Sequence, residues 1–318
     1  MNTDKVLQGD VRATAKLIRR IDDGDPGVIE ELSALYPHTK KAYVIGFTGS
    51  PGVGKSTLVD RIVGRFRSRG STVGILAIDP TSPFSGGAIL GDRIRMQKHF
   101  LDEGVFIRSL ATRGKFGGLT RSTADAIVVL DAMGKDVIIV ETVGVGQDEI
   151  DIVHSAHTTV LVTIPGMGDD IQAIKAGLME IGDLFVVNKA DREGSQKTVR
   201  EIKSMLKMSG ARYNSLGWEP PVITSKAIED IGVDEVFEAI IAHKQFLDDK
   251  GKDALLKREA SRIKTQLFDL FKENVLEEAL SRVGGVDALD LIVKEIIDRK
   301  SNPYLASGEL KKKVFAPQ

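Results

Sequence analysis

From Tyr43 onward the chain sets short, nearly unbroken apolar runs between stretches of helical periodicity: Val44 to Phe47, Val73 to Ile78, Val105 to Leu110, Val137 to Val140, Val160 to Ile164, Leu184 to Val187 and Val222 to Ile223. Strands exposed on one face alternate polar and apolar residues; these do not. Apolar runs of this kind belong to a sheet covered on both sides, so the pattern predicts an α/β fold with a mostly parallel sheet and helices on both faces. Ahead of this region, residues 6–36 read as two helices. Asp10 can cap a segment carrying Val11, Ala15, Ile18 and Ile21 on one face, and Asp25-Pro26 opens a second before Ile29, Leu32 and Leu35. Beyond about Asp248 the strand signal stops. Leu255-Leu256, Ile263, Leu267, Leu270-Phe271, Val275 and Leu280 then recur at helical spacing, with more helix from Leu289 to Ile297. The expected organisation is a helical N-terminal extension over 1–40, a sheet domain over 41–248 and a helical arm over 249–318. That arm is too small to hold a core alone and must pack on the sheet domain or on a second subunit.

The first apolar run leads into Gly49-Ser50-Pro51-Gly52-Val53-Gly54-Lys55-Ser56-Thr57. Strand, glycine-rich loop and helix start in that order form a phosphate-binding loop and define the sheet domain as a P-loop NTPase. The glycines let backbone N–H groups turn toward phosphate oxygens, the helix N-terminus adds partial positive charge, and Lys55 can reach the outer phosphates. Ser56 would place its hydroxyl on Mg2+.

Asn188-Lys189-Ala190-Asp191 follows the run at Leu184 to Val187. A carboxylate at Asp191 can accept both N1–H and the 2-amino group of guanine, a donor pair that adenine lacks, so GTP is expected over ATP. Ser225, Lys226 and Ala227, again at a strand end, can offer backbone N–H groups to guanine O6. The run Ile138 to Val140 ends in Glu141, placed to hold Mg2+, and then Gly144, whose N–H can meet the γ-phosphate and couple the loop to it. Asp79 and Asp92 bracket a loop with Gly86-Gly87 that can close over the nucleotide; each is open to a metal-binding or a solvated reading. The expected metal set is therefore Ser56, Asp79, Asp92 and Glu141, with Lys55, Glu141 and Gly144 assigned to catalysis. Where a water-orienting glutamine would follow the sensor glycine, Val145 stands instead, with Gln147 two residues on, so slow intrinsic hydrolysis is expected. Arg93, Arg95, Arg108, Arg113 and Lys175 are candidates to supply charge once a partner arranges the loops, but the surface or partner-facing reading of each is the stronger and none takes a catalytic role from sequence. His154 and His157 share a helical spacing but have no third ligand nearby, which favours a structural role, and Trp218 reads as a packed loop anchor.

Composition narrows the partners. Lys and Arg total 44 against 45 Asp and Glu, a net charge of −1 that gives no reason to expect nucleic acid or an anionic membrane surface. The absence of cysteine excludes disulfides, Cys-ligated zinc, iron–sulfur clusters and thiol catalysis, and suits a reducing compartment. With no apolar run of signal-peptide or membrane-span length, a cytoplasmic protein is expected.

Together these segments resemble the MeaB/ArgK family of GTPases, which includes the protein defective in methylmalonic aciduria type A. The motifs that carry the resemblance are Gly49 to Thr57, Ala77-Ile78-Asp79-Pro80, Ser85 to Arg93, Glu141-Thr142-Val143-Gly144-Val145-Gly146-Gln147, Pro165 to Asp170 and Asn188 to Asp191. The resemblance implies a chaperone of an adenosylcobalamin-dependent acyl-CoA mutase, typically methylmalonyl-CoA mutase. GTP binding and hydrolysis to GDP would gate cofactor loading and protect or reactivate the mutase, and the cobalamin would be bound by that partner. It also implies a homodimer joined through the C-terminal helices, and switch loops over Asp79 to Arg95, Glu141 to His154 and Ile164 to Lys175. A metal-insertion GTPase, an arginine/ornithine transport-associated kinase and a non-hydrolysing GTP-dependent binding module are the alternatives.

Overall fold

The computed structural model describes residues 2–39, 41–79, 97–99, 101–111, 118–142, 156–166, 182–208, 217–249 and 252–315. Among them, seven strands form one sheet: β1 (Tyr43–Thr48), β2 (Val73–Asp79), β3 (Val105–Ala111), β4 (Val137–Glu141), β5 (Thr158–Thr163), β6 (Leu184–Val187) and β7 (Val222–Thr224). Their order is β3-β2-β4-β1-β5-β6-β7 and every pairing is parallel. Each predicted run became a strand. The reason is visible in β1 and β4: Ile45, Phe47, Val137 and Ile139 enter one apolar layer, while Val44, Ile138 and Val140 enter the other. Successive side chains point to opposite faces, and with both faces buried a polar side chain on either is costly unless it finds a partner.

The first layer is closed by α4 (Lys55–Ser68), through Leu58, Val59, Ile62, Val63 and Phe66, and by α7 (Val233–Asp249), through Val236, Phe237 and Ile240. At about 1.5–3 kcal/mol per fully buried large side chain, α4 is anchored by its apolar stripe and not by helix propensity. Gly64 lies inside this helix with nothing within 4 Å of where a Cβ would stand. Gly64→Ala is therefore expected to raise unfolding stability by about 0.5–1 kcal/mol, read as a higher denaturant midpoint at unchanged slope.

The second layer is closed by α5 (Gly118–Ala132) and by the N-terminal helices α1 (Asn2–Leu7), α2 (Val11–Asp22) and α3 (Val28–Leu35). The sequence pattern gave two helices here and the structure has three, because the short α1 adds Val6 to the buried set. Asp10 caps α2 as expected, its Oδ1 accepting from Ala13 N at 2.7 Å. Asp25 does not cap α3; its carboxylate accepts from Arg20 Nε at 2.7 Å and from Gly27 N at 2.8 Å. The inward face of α2 is Ala13, Thr14, Leu17, Ile18 and Ile21, one step rotated from the predicted face, and Val11 is exposed. A third, smaller cluster packs α6 (Ser195–Met208) on the β6–β7 edge through Val199, Ile202, Phe185 and Val187.

At the amino end of the sheet a buried polar network explains why the β5 signal began two residues late in the sequence. Thr158 and Thr159 open that strand as polar residues: Thr158 Oγ1 bonds His243 Nδ1 (2.6 Å) and the Tyr43 hydroxyl, and Thr159 N donates to Asp183 Oδ2 (2.9 Å). Burial pushes the Tyr43 phenol up. His157 stacks on Tyr43 and accepts from Val44 N at 2.9 Å, a structural role. Trp218 donates to Asp183 O at 2.9 Å and packs on His243 and Phe246, as a loop anchor would.

The chain divides into two compact units, residues 1–258 and 259–318. The 31-residue α8 (Lys252–Arg282) runs through the division, followed by α9 (Gly285–Ile297) and α10 (Pro303–Val314). Among the described residues no helix is long and apolar enough to cross a membrane.

Candidate functional site

Four of the recognised motifs, among the described residues, lie at the carboxyl end of the parallel sheet: residues 49–56 after β1, Glu141 closing β4, residues 188–191 after β6 and residues 225–227 after β7. The chain runs outward from β1 to β2 and β3, returns to β4 beside β1, and then continues on the other side through β5, β6 and β7. A crevice beyond the strand ends at such a reversal is where ligands bind in open α/β sheets.

Two glycines of the loop are required by close approach. Gly49 has φ 137° and a Cβ there would stand 2.0 Å from Val162 O, so the loop leaves β1 pressed against β5. Gly54 is the left-handed N-cap of α4 (φ 96°), where a Cβ would stand 2.4 Å from Asn188 Nδ2. Lys55, the first residue of α4, is 5% exposed; its ammonium is gathered into the loop, donating to Gly49 O and to Ser50 O (3.0 Å). The first N–H groups of a 14-residue helix thus face the same space as a buried cation, an arrangement suited to phosphate. Ser56 Oγ donates to Glu141 Oε1 at 2.7 Å, and both residues are buried. A hydroxyl and a carboxylate in contact at the cleft wall are hard oxygen donors that fit Mg2+. Next to them Thr142 N donates to Phe47 O (3.1 Å), which ties the end of β4 to β1.

Asn188 proves to be a strut. Its Nδ2 donates to Val53 O in the phosphate loop at 2.8 Å, and its Oδ1 accepts from Ser225 Oγ and Ala227 N, each at 3.1 Å. One buried amide therefore joins the loops after β1, β6 and β7. Lys189, at φ 51°, sends its Nζ to Gly52 O at 2.7 Å, a second tie to the phosphate loop. The backbone N–H groups of Ser225, Lys226 and Ala227 have partners in Val187 O, Ile231 O and the Asn188 side chain. Ser225 is buried behind the surface, whereas Lys226 and Ala227 line it.

The resulting cleft has a volume of about 640 Å3, within the range of small-molecule sites. Pro51, Gly52, Gly54, Lys55, Ser56 and Thr57 line one part, Glu141 and Thr142 the floor of β4, and Asn188, Lys189, Asp191, Lys226 and Ala227 the rest. Asp191 is exposed to it. Arg192, Ile228 and Glu229 also line it and were not picked out from sequence; their only signal was adjacency to the two motifs. Asp79 closes β2, with Cα paired to Ala111, and its side chain is outside what the structure describes. Asp92, Gly144, Gln147, Arg93, Arg95, Arg113, His154 and Lys175 lie outside the described residues. Arg108 sits on β3 and is not among the cleft-lining residues.

Comparison with known proteins gives one consistent result. The family profile described as methylmalonyl Co-A mutase-associated GTPase MeaB matches residues 17–283. A Pyrococcus abyssi protein is 49% identical over 309 residues, covering 92% of this chain and 95% of its own. The GTPase ArgK of Escherichia coli is 36% identical over 278 residues, covering 86% of this chain and 82% of its own. Among solved structures, an LAO/AO transport system kinase superposes with a TM-score of 0.67 at 25% identity, over 98% of this chain and 95% of that one.

Proposed function

The chain belongs to the MeaB family of GTPases, and from that premise we propose that it is a GTP-dependent chaperone of an adenosylcobalamin-dependent acyl-CoA mutase, most simply methylmalonyl-CoA mutase. The observation that carries the site is the convergence of Lys55, the Ser56–Glu141 pair and Asp191 on one cleft at the sheet's carboxyl edge. In this reading the nucleotide's phosphates lie over the N-terminus of α4, where Lys55 meets the outer phosphates and residues 49–54 enclose them. Asp191 reads the guanine N1–H and 2-amino group. Mg2+, when bound, supplies charge neutralisation at the phosphate oxygens, held by Ser56 and Glu141 together with Asp79 and Asp92. Gly144, following β4, senses the γ-phosphate, and the switch segments pass the nucleotide state to the mutase, which holds the cobalamin.

The domain assignment belongs to the same proposal: a helical extension over 1–40, a GTPase domain over 41–248, and an arm over 249–318 that joins two copies. Support for the arm is its apolar surface. Leu267, Phe268, Phe271, Val275 and Leu276 on α8 and Leu291, Val293 and Ile297 on α9 are all exposed, and patches of that kind mark interfaces. A cytoplasmic site of action completes the reading.

The test is steady-state phosphate release from GTP by the full chain, alone and with the acyl-CoA mutase of the same organism. Hydrolysis is expected to be slow alone and faster by about tenfold or more with the client, since a partner can complete the charge stabilisation of phosphoryl transfer. A rate unchanged by each such mutase would remove the proposed client. The kinase reading, which the name of the structural relative brings with it, requires the γ-phosphate to appear on an acceptor; its recovery as inorganic phosphate decides against transfer.

A further inference from the structure

The segment after β7 forms a small closed lobe. Lys226 and Ile231 exchange backbone hydrogen bonds (Lys226 N to Ile231 O, 2.9 Å; Ile231 N to Lys226 O, 3.3 Å), and Gly232 at φ 75° makes the exit where a Cβ would meet Thr224 O at 2.2 Å. Lys226, Ala227 and Ile228 present this lobe to the cleft. On one side the lobe is pinned by Asn188. On the other it is pinned by the phosphate-loop helix: Arg61 Nε donates to Ala227 O (3.3 Å) and Nη2 to Ile228 O (3.2 Å). One turn further along the same face, Arg65 Nη2 meets Asp230 Oδ2 at 2.9 Å. The two carbonyls that Arg61 takes belong to the residues facing the cleft, so the base side of the site is held in register with the same helix whose N-terminus faces the phosphate side.

We propose that Arg61 is a positioning residue for guanine recognition: it acts through the 226–231 lobe, holding Ala227 and Ile228 against the base, and touches no part of the nucleotide itself. This inference rests on the proposal that the cleft takes a guanine nucleotide. Removing the guanidinium releases the Ala227 and Ile228 carbonyls, while Arg65–Asp230 still ties the far end of the lobe to α4 and Asn188 tethers its cleft side. Contacts to the guanine base weaken, while the phosphate contacts, common to all purine nucleotides, remain. Because the N–H groups of Ser225, Lys226 and Ala227 are spent within the protein, the discrimination runs through Asn188, which the lobe holds by Ala227 N and which opens the turn ending in Asp191; adenine has no contact with Asp191 to lose.

The experiment is competition of GDP and of ADP against a fluorescent GDP analogue on the full chain, for wild type, Arg61→Met, Arg61→Lys and Arg69→Ala. Methionine keeps the apolar stem and removes both donors; lysine keeps the charge and can serve one carbonyl. Arg69, two turns beyond Arg61, pairs with Glu238 and lies over the Phe237 ring, away from the lobe, and controls for a general loosening of α4 on α7. Arg61→Met is expected to weaken GDP about tenfold and to narrow the ADP-to-GDP ratio of dissociation constants by about the same factor, with Arg61→Lys between it and wild type and Arg69→Ala unchanged in ratio. Thermal unfolding of each variant is followed in parallel, and should Arg61→Met not fold, the Arg61→Lys ratio decides. A wild-type ratio retained in the folded Arg61 variant overturns the inference while leaving the guanine site standing. A wild type that does not prefer GDP over ADP overturns the guanine reading beneath it.

Discussion

Lys55→Ala is expected to weaken GTP binding by about thirtyfold to several thousandfold, the equivalent of about 2–5 kcal/mol, because truncating one partner of a desolvated charge pair leaves the other charge without compensation. Lys55 is the buried cation of the loop, and its ammonium already sits inside the concavity on Gly49 O and Ser50 O. A phosphate arriving there exchanges carbonyl acceptors for a charged one, so the cation is pre-placed and little side-chain entropy is lost on binding. The variant keeps the apolar face of α4, and its circular dichroism should match wild type. Calorimetric titration with GTP gives the check: affinity within a few-fold of wild type in a folded Lys55→Ala protein would remove the phosphate-loop assignment.

The second large effect concerns the base. Asp191→Asn is expected to lower GTP affinity by about a hundredfold and to raise affinity for XTP, reversing the preference between them. The carboxylate accepts from N1–H and from the 2-amino group; the amide still accepts from N1–H but turns an N–H donor toward the amino group, leaving two donors face to face. Xanthine has a carbonyl at that position and restores the pair. Competition binding with both nucleotides separates this role from a structural one, since loss of the phosphate side by Lys55→Ala should weaken GTP and XTP alike. Equal weakening of the two nucleotides in Asp191→Asn would show that Asp191 does not read the base edge.

The strands and the phosphate loop could be read from the chain because each is dictated locally. Burial on both faces forces unbroken apolar runs, and Gly49 and Gly54 occupy backbone conformations that other residues adopt only with strain. The helical character of residues 252–314 was equally legible, since a period near 3.6 is a local property. Boundaries failed where a polar side chain is buried with a distant partner. Thr158 and Thr159 look like loop residues until His243 and Asp183 are brought beside them, and the face of α2 is set by the surface of α5 that it meets.

Residue chemistry and spacing along the chain were enough to specify a parallel α/β sheet, a phosphate loop and a guanine motif, because these depend on neighbours within a few positions. Tertiary structure alone decided that Asn188 spends its side chain on joining three loops, that Ser56 and Glu141 meet across 85 positions of sequence, and that Arg61 on α4 holds the lobe after β7. Hydrogen bonds between residues so far apart carry no periodicity and no local propensity; they exist only once the sheet has set its strand ends side by side.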